Sequence, residues 1–273
     1  MKKKTYKKIF MYLLLSFSAL LLFAPILYAI SASFLTPQEI YAGKLIPSSI
    51  NFDAYKEVID SVPLLHFLTV SFWMSFIVMV GQLIVCSLAA YAFVFIPFKG
   101  RNIIFFIFLS TMLIPWEATI IPNFLTMVKL DWINTYQGLT FPFFALPFGI
   151  FLLRQHFMTL PKELWESAQM DGCSRFRFYW SIALPLSKSA LSALGIYGFL
   201  TTWNKYLWPL LVTNDESVRP VQIALKMLIA QEGSSQWNMV MAAVVIILLP
   251  TLLLLFIGLK YIREGLTAGA LKG

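Results

Sequence analysis

Leu68-Thr-Val-Ser-Phe-Trp-Met-Ser-Phe-Ile-Val-Met-Val-Gly-Gln-Leu-Ile-Val-Cys-Ser-Leu-Ala-Ala-Tyr-Ala-Phe-Val-Phe-Ile96 runs without one charged side chain. A helix needs roughly 20 consecutive apolar residues to cross the hydrocarbon of a bilayer, and this stretch exceeds that. Residues 9–30 and 239–262 have the same character. Composition agrees, with 59% hydrophobic and only 12% charged residues in a chain of 273. A soluble domain carries about a quarter charged residues. The reading is an all-α membrane protein.

Working outward from 68–96, three less regular apolar segments come next. Residues 103–127 are interrupted by Pro115, Glu117 and Pro122, residues 136–153 hold Pro142 and Pro147, and residues 190–212 carry Asn204 and Lys205. Counting these gives six spans in a single domain over 1–273, and charge asymmetry supports the count. With the N-terminus inside, fifteen of the 21 Lys and Arg fall on the inner side, Lys272 among them, and eight of the 13 acids fall outside. Cytoplasmic loops are enriched in Lys and Arg, so both termini are expected in the cytoplasm. Dropping one span would place either the basic segment 154–188 or the C-terminal basic residues outside, against that rule. The net charge of +8 is therefore read as an orientation signal for a membrane, not as a nucleic-acid groove. The start, with Lys2, Lys3, Lys4, Lys7 and Lys8 ahead of 9–30, could also open a cleaved signal peptide. Its apolar run is longer than a signal h-region, and a retained span is expected.

Between the spans lie external segments 34–67 and 213–238, both read as polar loops, and an internal loop at 155–189. Cys86 lies in an apolar run and Cys173 in a basic loop, so no disulfide is expected. His66 and His156 fall on opposite sides and cannot share a metal.

The internal loop is the most structured of the three. In Pro161-Lys-Glu-Leu-Trp-Glu-Ser-Ala-Gln-Met-Asp-Gly172, Pro161 suits the first helical position, where its missing N–H costs nothing. Glu163 falls in the first turn, where the helix dipole favours an anion. Gly172 can take the left-handed conformation that closes a helix, and Ser174 can cap a second helix over 175–182. Pro185 ends or bends the helix there. Leu164 and Ala168 are expected on one side of the first helix, with Trp165 beside them. Such an amphipathic helix could lie on the lipid interface or dock in another protein's groove.

The spacing Glu166-Ser167-Ala168, three residues, Gly172, nine residues, Ile182-x-Leu184-Pro185 resembles the Glu-Ala-Ala loop of ATP-binding cassette (ABC) importer permeases. Asp171, Phe178, Trp203-Asn204 and Trp208-Pro209 are similar to the sugar-importing branch, and the tail from Gly265 to Gly273 to the maltose-type second permease subunit. Segments 203–213 and 236–242 look equally like the glycerol-3-phosphate permease subunit. The likeness covers most of the chain after Ile103. Ser167 stands where a second alanine is usual and Cys173 where alanine is common; both are small enough for helix packing.

The resemblance implies the type I ABC importer permease fold, with loop 155–189 as the coupling element. It implies that Glu166, Ser167, Ala168, Asp171, Gly172, Phe178, Leu184 and Pro185 serve contact with a separate ATPase. Partners implied are a second, different permease, two ATPase subunits holding ATP and Mg, and an extracytoplasmic solute-binding protein. The setting is a bacterial inner membrane, and the cargo a sugar, oligosaccharide or glycerol-3-phosphate.

Charged groups inside spans mark pathways. Glu117 and Asn123, near the two prolines of 103–127, and Trp203 and Asn204 in 190–212 are candidates to line one. The alternatives are that Glu117 caps backbone near the interface and that Tyr206 and Trp208 belong to an aromatic belt. No phosphate-binding G-x-x-x-x-G-K-[ST] loop and no hydrolase or zinc motif occurs, so no cofactor or catalytic residue is assigned to this chain. The competing reading is a stand-alone secondary transporter or channel, which predicts inverted repeats and several buried ionisable residues.

Overall fold

A computed structural model of the chain describes residues 2–232 and 236–270. Leu271, Lys272 and Gly273, which end the tail carrying part of the resemblance, lie outside the described residues. The described residues form helices and turns without strands. Three helices are long and apolar enough to cross a membrane unbroken: Tyr6–Ala32 within α1 (Lys2–Ala32), α4 (Leu64–Phe95), and Trp237–Phe256 within α15 (Trp237–Ala270). Three further apolar stretches are bent pairs. Arg101–Leu113 meets Trp116–Lys129 at 99°, Tyr136–Phe143 meets Pro147–Met158 at 46°, and Arg175–Leu186 meets Lys188–Trp203 at 79°.

The proline positions explain most of this. Pro115 lacks the N–H that a continuing helix needs, and the chain turns there between α5 (Arg101–Ser110), with its 3-10 extension Thr111–Leu113, and α6 (Trp116–Lys129). Pro147 starts α8 (Pro147–Met158) after α7 (Tyr136–Thr140) and the 3-10 turn Phe141–Phe143. Pro122, expected to break the helix around Glu117, instead sits inside a continuous α6. One missing bond early in a helix is tolerated when the flanking turns stay paired.

The chain forms two compact units, one of Met1–Leu65 with Ala224–Leu249 and one of His66–Ile223 with Pro250–Gly273. Their boundaries fall inside three continuous helices, α4, α14 (Val221–Glu232) and α15, with no linker composition to mark them. In the first unit α1 is almost wholly exposed: Phe10, Leu13 and Leu22 each show more than 60% of their surface. An apolar helix left this bare is stable only in lipid or against another apolar helix.

The segment after α1 is more than a polar loop. It folds as α2 (Pro37–Tyr41) and α3 (Asp53–Ser61), with Leu35, Ala54, Val58 and Val62 buried. Phe34, Phe52 and Tyr55 pack ring against ring, and the Tyr55 and Ser33 hydroxyls lie 2.7 Å apart. The segment around 213–238 likewise carries a helix, α14 (Val221–Glu232), with Val221, Ile223, Ala224 and Leu228 buried. Short helices between polar loop residues leave too few apolar repeats for a sequence pattern to reveal them.

Glu39 staples the first loop. It completes a capping box with Thr36, accepts the Ser48 amide at 3.1 Å, and pairs with Lys44 at 3.2 Å. The Ser48 hydroxyl foremost, then the Thr36 and Ser48 amides, hold its carboxyl down to about 2 from 4.5. Protonation removes the acceptors for these bonds. The staple is therefore complete above pH 4.5 and is lost as the pH falls towards about 2. Amide exchange across residues 36–48, measured in nanodiscs, should accelerate over that window. Glu39→Gln should exchange fast at every pH; an unchanged profile would remove the carboxylate from this role.

Candidate functional site

The loop after α8 builds two helices at a glycine corner. α9 spans Lys162–Met170, with Pro161 as its N-cap, one residue earlier than the expected first helical position. Helix ends shift by a residue or two between hydrogen-bond and dihedral definitions. Gly172 has φ +70°, the Cys173 amide donates to Ala168 O at 2.8 Å, and the Gly172 amide donates to Gln169 O at 3.0 Å. These are the two bonds of a Schellman closure, which needs a left-handed residue where Gly172 stands. Ser174 then takes extended geometry, and its Oγ accepts the Arg177 amide at 3.2 Å to open α10 (Arg175–Phe178). The helix widens to a π turn over Tyr179–Ala183 just before Pro185, which cannot donate to the residue a turn back. A short α11 (Leu184–Leu186) comes next, then α12 (Lys188–Trp203).

Two residues of α9 face inward, Ala168 buried and Trp165 half-buried, whereas Leu164, one turn before Ala168, is exposed at the rim. The Trp165 ring lies 4.8 Å from Phe178 and 6.0 Å from Phe95 of α4. Phe178 and Tyr179 are buried against Tyr91 and Phe95. The Tyr91 hydroxyl donates to Arg175 O at 2.8 Å, and the Tyr179 and Ser87 hydroxyls lie 2.7 Å apart. The loop is thus anchored to α4, on whose Tyr91 and Phe95 the Phe157 ring of α8 also packs. Its outer edge is bare: Glu166, Ser167, Asp171, Gly172 and Pro185 are exposed, Met170 to 83%, while Leu184 is partly buried. Of the eight loop residues singled out from sequence, Ala168 and Phe178 build the seat and most others face outward. Sequence reasoning missed Tyr91, Phe95 and Phe157, because an aromatic in an apolar run carries no sign of which partner it meets.

A second feature lies among the helix breaks. A cavity of about 560 Å³ is bounded by Gln82 on α4, Thr111, Trp116 and Thr119 around the α5–α6 corner, Phe143 and Leu146 around the α7–α8 corner, Tyr197 and Thr201 on α12, and Lys205. Lys205 stands in the gap between α12 and α13 (Leu207–Val212). Backbone groups freed at these corners find partners in protein. Gln82 Nε2 donates to Phe143 O at 2.9 Å, Cys86 Sγ approaches Leu146 O at 3.5 Å, and Trp208 Nε1 donates to Gly138 O at 3.0 Å. Gly198 lets α12 approach, since a Cβ there would run into Gln82 Oε1. Trp208 is 2% exposed and packs on Trp116 and Phe143, so it is core and not an aromatic belt.

The four pathway candidates lie beside this cavity in sequence. Glu117 and Asn204 are exposed, and the Asn204 side chain donates back to Leu200 O at 2.8 Å. Asn123 is partly buried on α6, and Trp203 is buried and stacked on Phe199 at 5.8 Å. The wall itself is made by their neighbours Trp116, Thr119 and Lys205. Cys86 and Cys173 are both free thiols, and no cluster of metal-ligating side chains occurs among the described residues.

Apolar helices, corners converging on a cavity, and a seated loop helix with a bare edge define a membrane transport permease. The chain belongs to the family of binding-protein-dependent transport system inner membrane components, whose model matches residues 82–267. It is 35% identical over 267 residues to the sn-glycerol-3-phosphate transport system permease protein UgpE of Yersinia pestis, covering 94% of this chain and 95% of that one. The protein of that name from Pectobacterium atrosepticum is 36% identical over 267 residues, with the same coverage. That from Escherichia coli O1:K1 is 37% identical over 257 residues, covering 91% of each. A solved bacterial ABC transporter involved in the import of the acidic polysaccharide alginate contains a chain matching with TM-score 0.85 and 26% identity, over 96% of this chain and 98% of that one. The protein is therefore an inner-membrane permease component of a binding-protein-dependent ABC importer, and the stand-alone transporter reading is set aside.

Each ring contact of Trp165 stabilises the seat by about 0.5–1.5 kcal/mol beyond its area. Trp165→Ala should leave membrane abundance unchanged and speed amide exchange across α9 roughly tenfold or more. Unchanged exchange would show that α9 is not held by this ring.

Proposed function

We propose that this chain is one of two different permease subunits forming a translocation pathway, and that it engages one of two ATPase subunits through α9. ATP and Mg act on those partners, and an extracytoplasmic binding protein delivers the solute. The topology proposed has six crossings with both termini cytoplasmic: one for each of α1, α4 and α15, one for each of the α5–α6 and α7–α8 pairs, and one for α12 with α13. The solute is glycerol-3-phosphate, a sugar or an oligosaccharide, and the relatives named for sn-glycerol-3-phosphate favour the first.

The observation that carries the coupling role is the asymmetry of α9. Trp165 and Ala168 seat it on α4 and α10, while Glu166, Ser167, Met170 and Gly172 form an outer edge with nothing of this chain against the glycine. A push on that edge is passed to α4 through Trp165, Phe95 and Tyr91, because packed rings move together and do not deform independently.

Two experiments test this. Affinity purification of the tagged chain from its native membrane should recover an ATPase subunit and a second permease, and the isolated chain should transport nothing. Transport by the isolated chain would refute the assignment. The second concerns Gly172, where φ is +70° but no neighbouring atom would meet a Cβ. A branched residue in that conformation costs about 1–2 kcal/mol, whereas Asn adopts it more readily. Gly172→Val should abolish uptake at normal membrane abundance, Gly172→Asn should retain much of it, and Glu166→Ala should lower it mildly. Full uptake by Gly172→Val would remove the loop from coupling.

A further inference from the structure

The cavity among the helix breaks carries one cation and no anion. Lys205 Nζ lies 3.9 Å from the centroid of Phe143 and 5.9 Å from that of Trp116, and both rings belong to the cavity wall. No carboxylate among the described residues reaches salt-bridge distance of it, the ion pair found there being Lys44 with Glu39. Glu117, at the start of α6, is exposed and does not contribute to the wall; its carboxylate acts on Lys205 from beyond salt-bridge distance. Aromatic faces attract an ammonium, but they do not replace a counter-ion in a partly dehydrated site.

The rest of the wall has a matching polarity. The Thr111, Thr119 and Thr201 hydroxyls donate to Phe108 O, Trp116 O and Tyr197 O of their own helices, at 2.7, 2.9 and 2.8 Å. With their protons committed, these oxygens offer lone pairs. Acceptors of this kind suit ligand hydroxyls, which donate. Trp116 and Phe143 add apolar faces for C–H surface.

We infer that Lys205 binds the anionic group of the transported solute in this cavity, which makes the cargo a hydroxylated anion and Lys205 a determinant of specificity. The shared chemistry is a polyol or sugar bearing a phosphate or a carboxylate. The inference rests on the permease reading above and deepens it by naming the solute class.

The test uses the complete transporter in proteoliposomes, with its partner subunits, binding protein and ATP. The solutes are sn-glycerol-3-phosphate, a uronate oligosaccharide and maltose. Wild type should carry one of the two anions, which distinguishes phosphate from carboxylate. Lys205→Gln should lower its uptake at least tenfold, about 1.4 kcal/mol, and Lys205→Arg should keep most of it. For a measurement independent of that pair, Lys205→Cys should be inactive until treated with an aminoethyl methanethiosulfonate, which rebuilds an ammonium. A neutral methyl reagent should not restore it. Undiminished anion uptake by Lys205→Gln, equal loss in the Gln and Arg variants, or rescue by the neutral reagent would overturn the inference. A wild type that carries only maltose would also overturn it while leaving the permease reading intact. A wild type that moves no solute with its partners would sink both.

Discussion

A backbone amide in hydrocarbon has no water to bond, so any interruption of a spanning helix must be answered by protein or open onto a cavity. This constraint organises the unit from His66 to Ile223. The corners at Pro115 and Pro147 and the gap at Lys205 all border one cavity. α4, the unbroken helix beside them, supplies Gln82 and Cys86 to carbonyls freed at the second corner. These two side chains are thus hydrogen-bond donors to broken neighbours. Gly198 and Gly149 keep the space for them, since a Cβ on either would meet Gln82 or Cys86.

The same helix carries the other end of the mechanism. Ser87, Tyr91 and Phe95 come after Gln82 along α4 and hold Tyr179, the Arg175 carbonyl, Phe178 and Trp165 of the loop. One rigid element therefore touches both the cavity and the seat of α9. The loop is thus packed on the same helix that borders the broken corners.

Charge is placed with similar economy. The loop edge that points away from the chain holds Glu166 and Asp171, while the cavity wall holds Lys205 among rings and hydroxyls. An exposed carboxylate is well hydrated and contributes little until a partner covers it. A lysine among aromatic rings is partly dehydrated, and Glu117, outside the wall, is the acid whose charge acts on it.

The membrane character, the three long spans, the loop helices and the Gly172 corner were legible in the sequence, because each rests on local physics: apolar length, a proline, a capping serine, a glycine that tolerates positive φ. The motif around Glu166 and Gly172 also identified the family, since its spacing is fixed by the two helices it closes. Pro122 read as a break and became part of a helix, because whether a missing bond ends a helix depends on what its neighbours supply. Glu117 and Asn204 read as pathway residues, yet Trp116 and Lys205 form the wall; a shift of one residue turns a side chain by about 100° round a helix, and no local rule sets that rotation. Trp208, for which an aromatic belt was one alternative, is core. Sequence by itself determined that the long apolar segments and the loop around Gly172 are helical. Only the tertiary structure decided which faces meet at the bends, because that depends on packing between segments far apart in the chain.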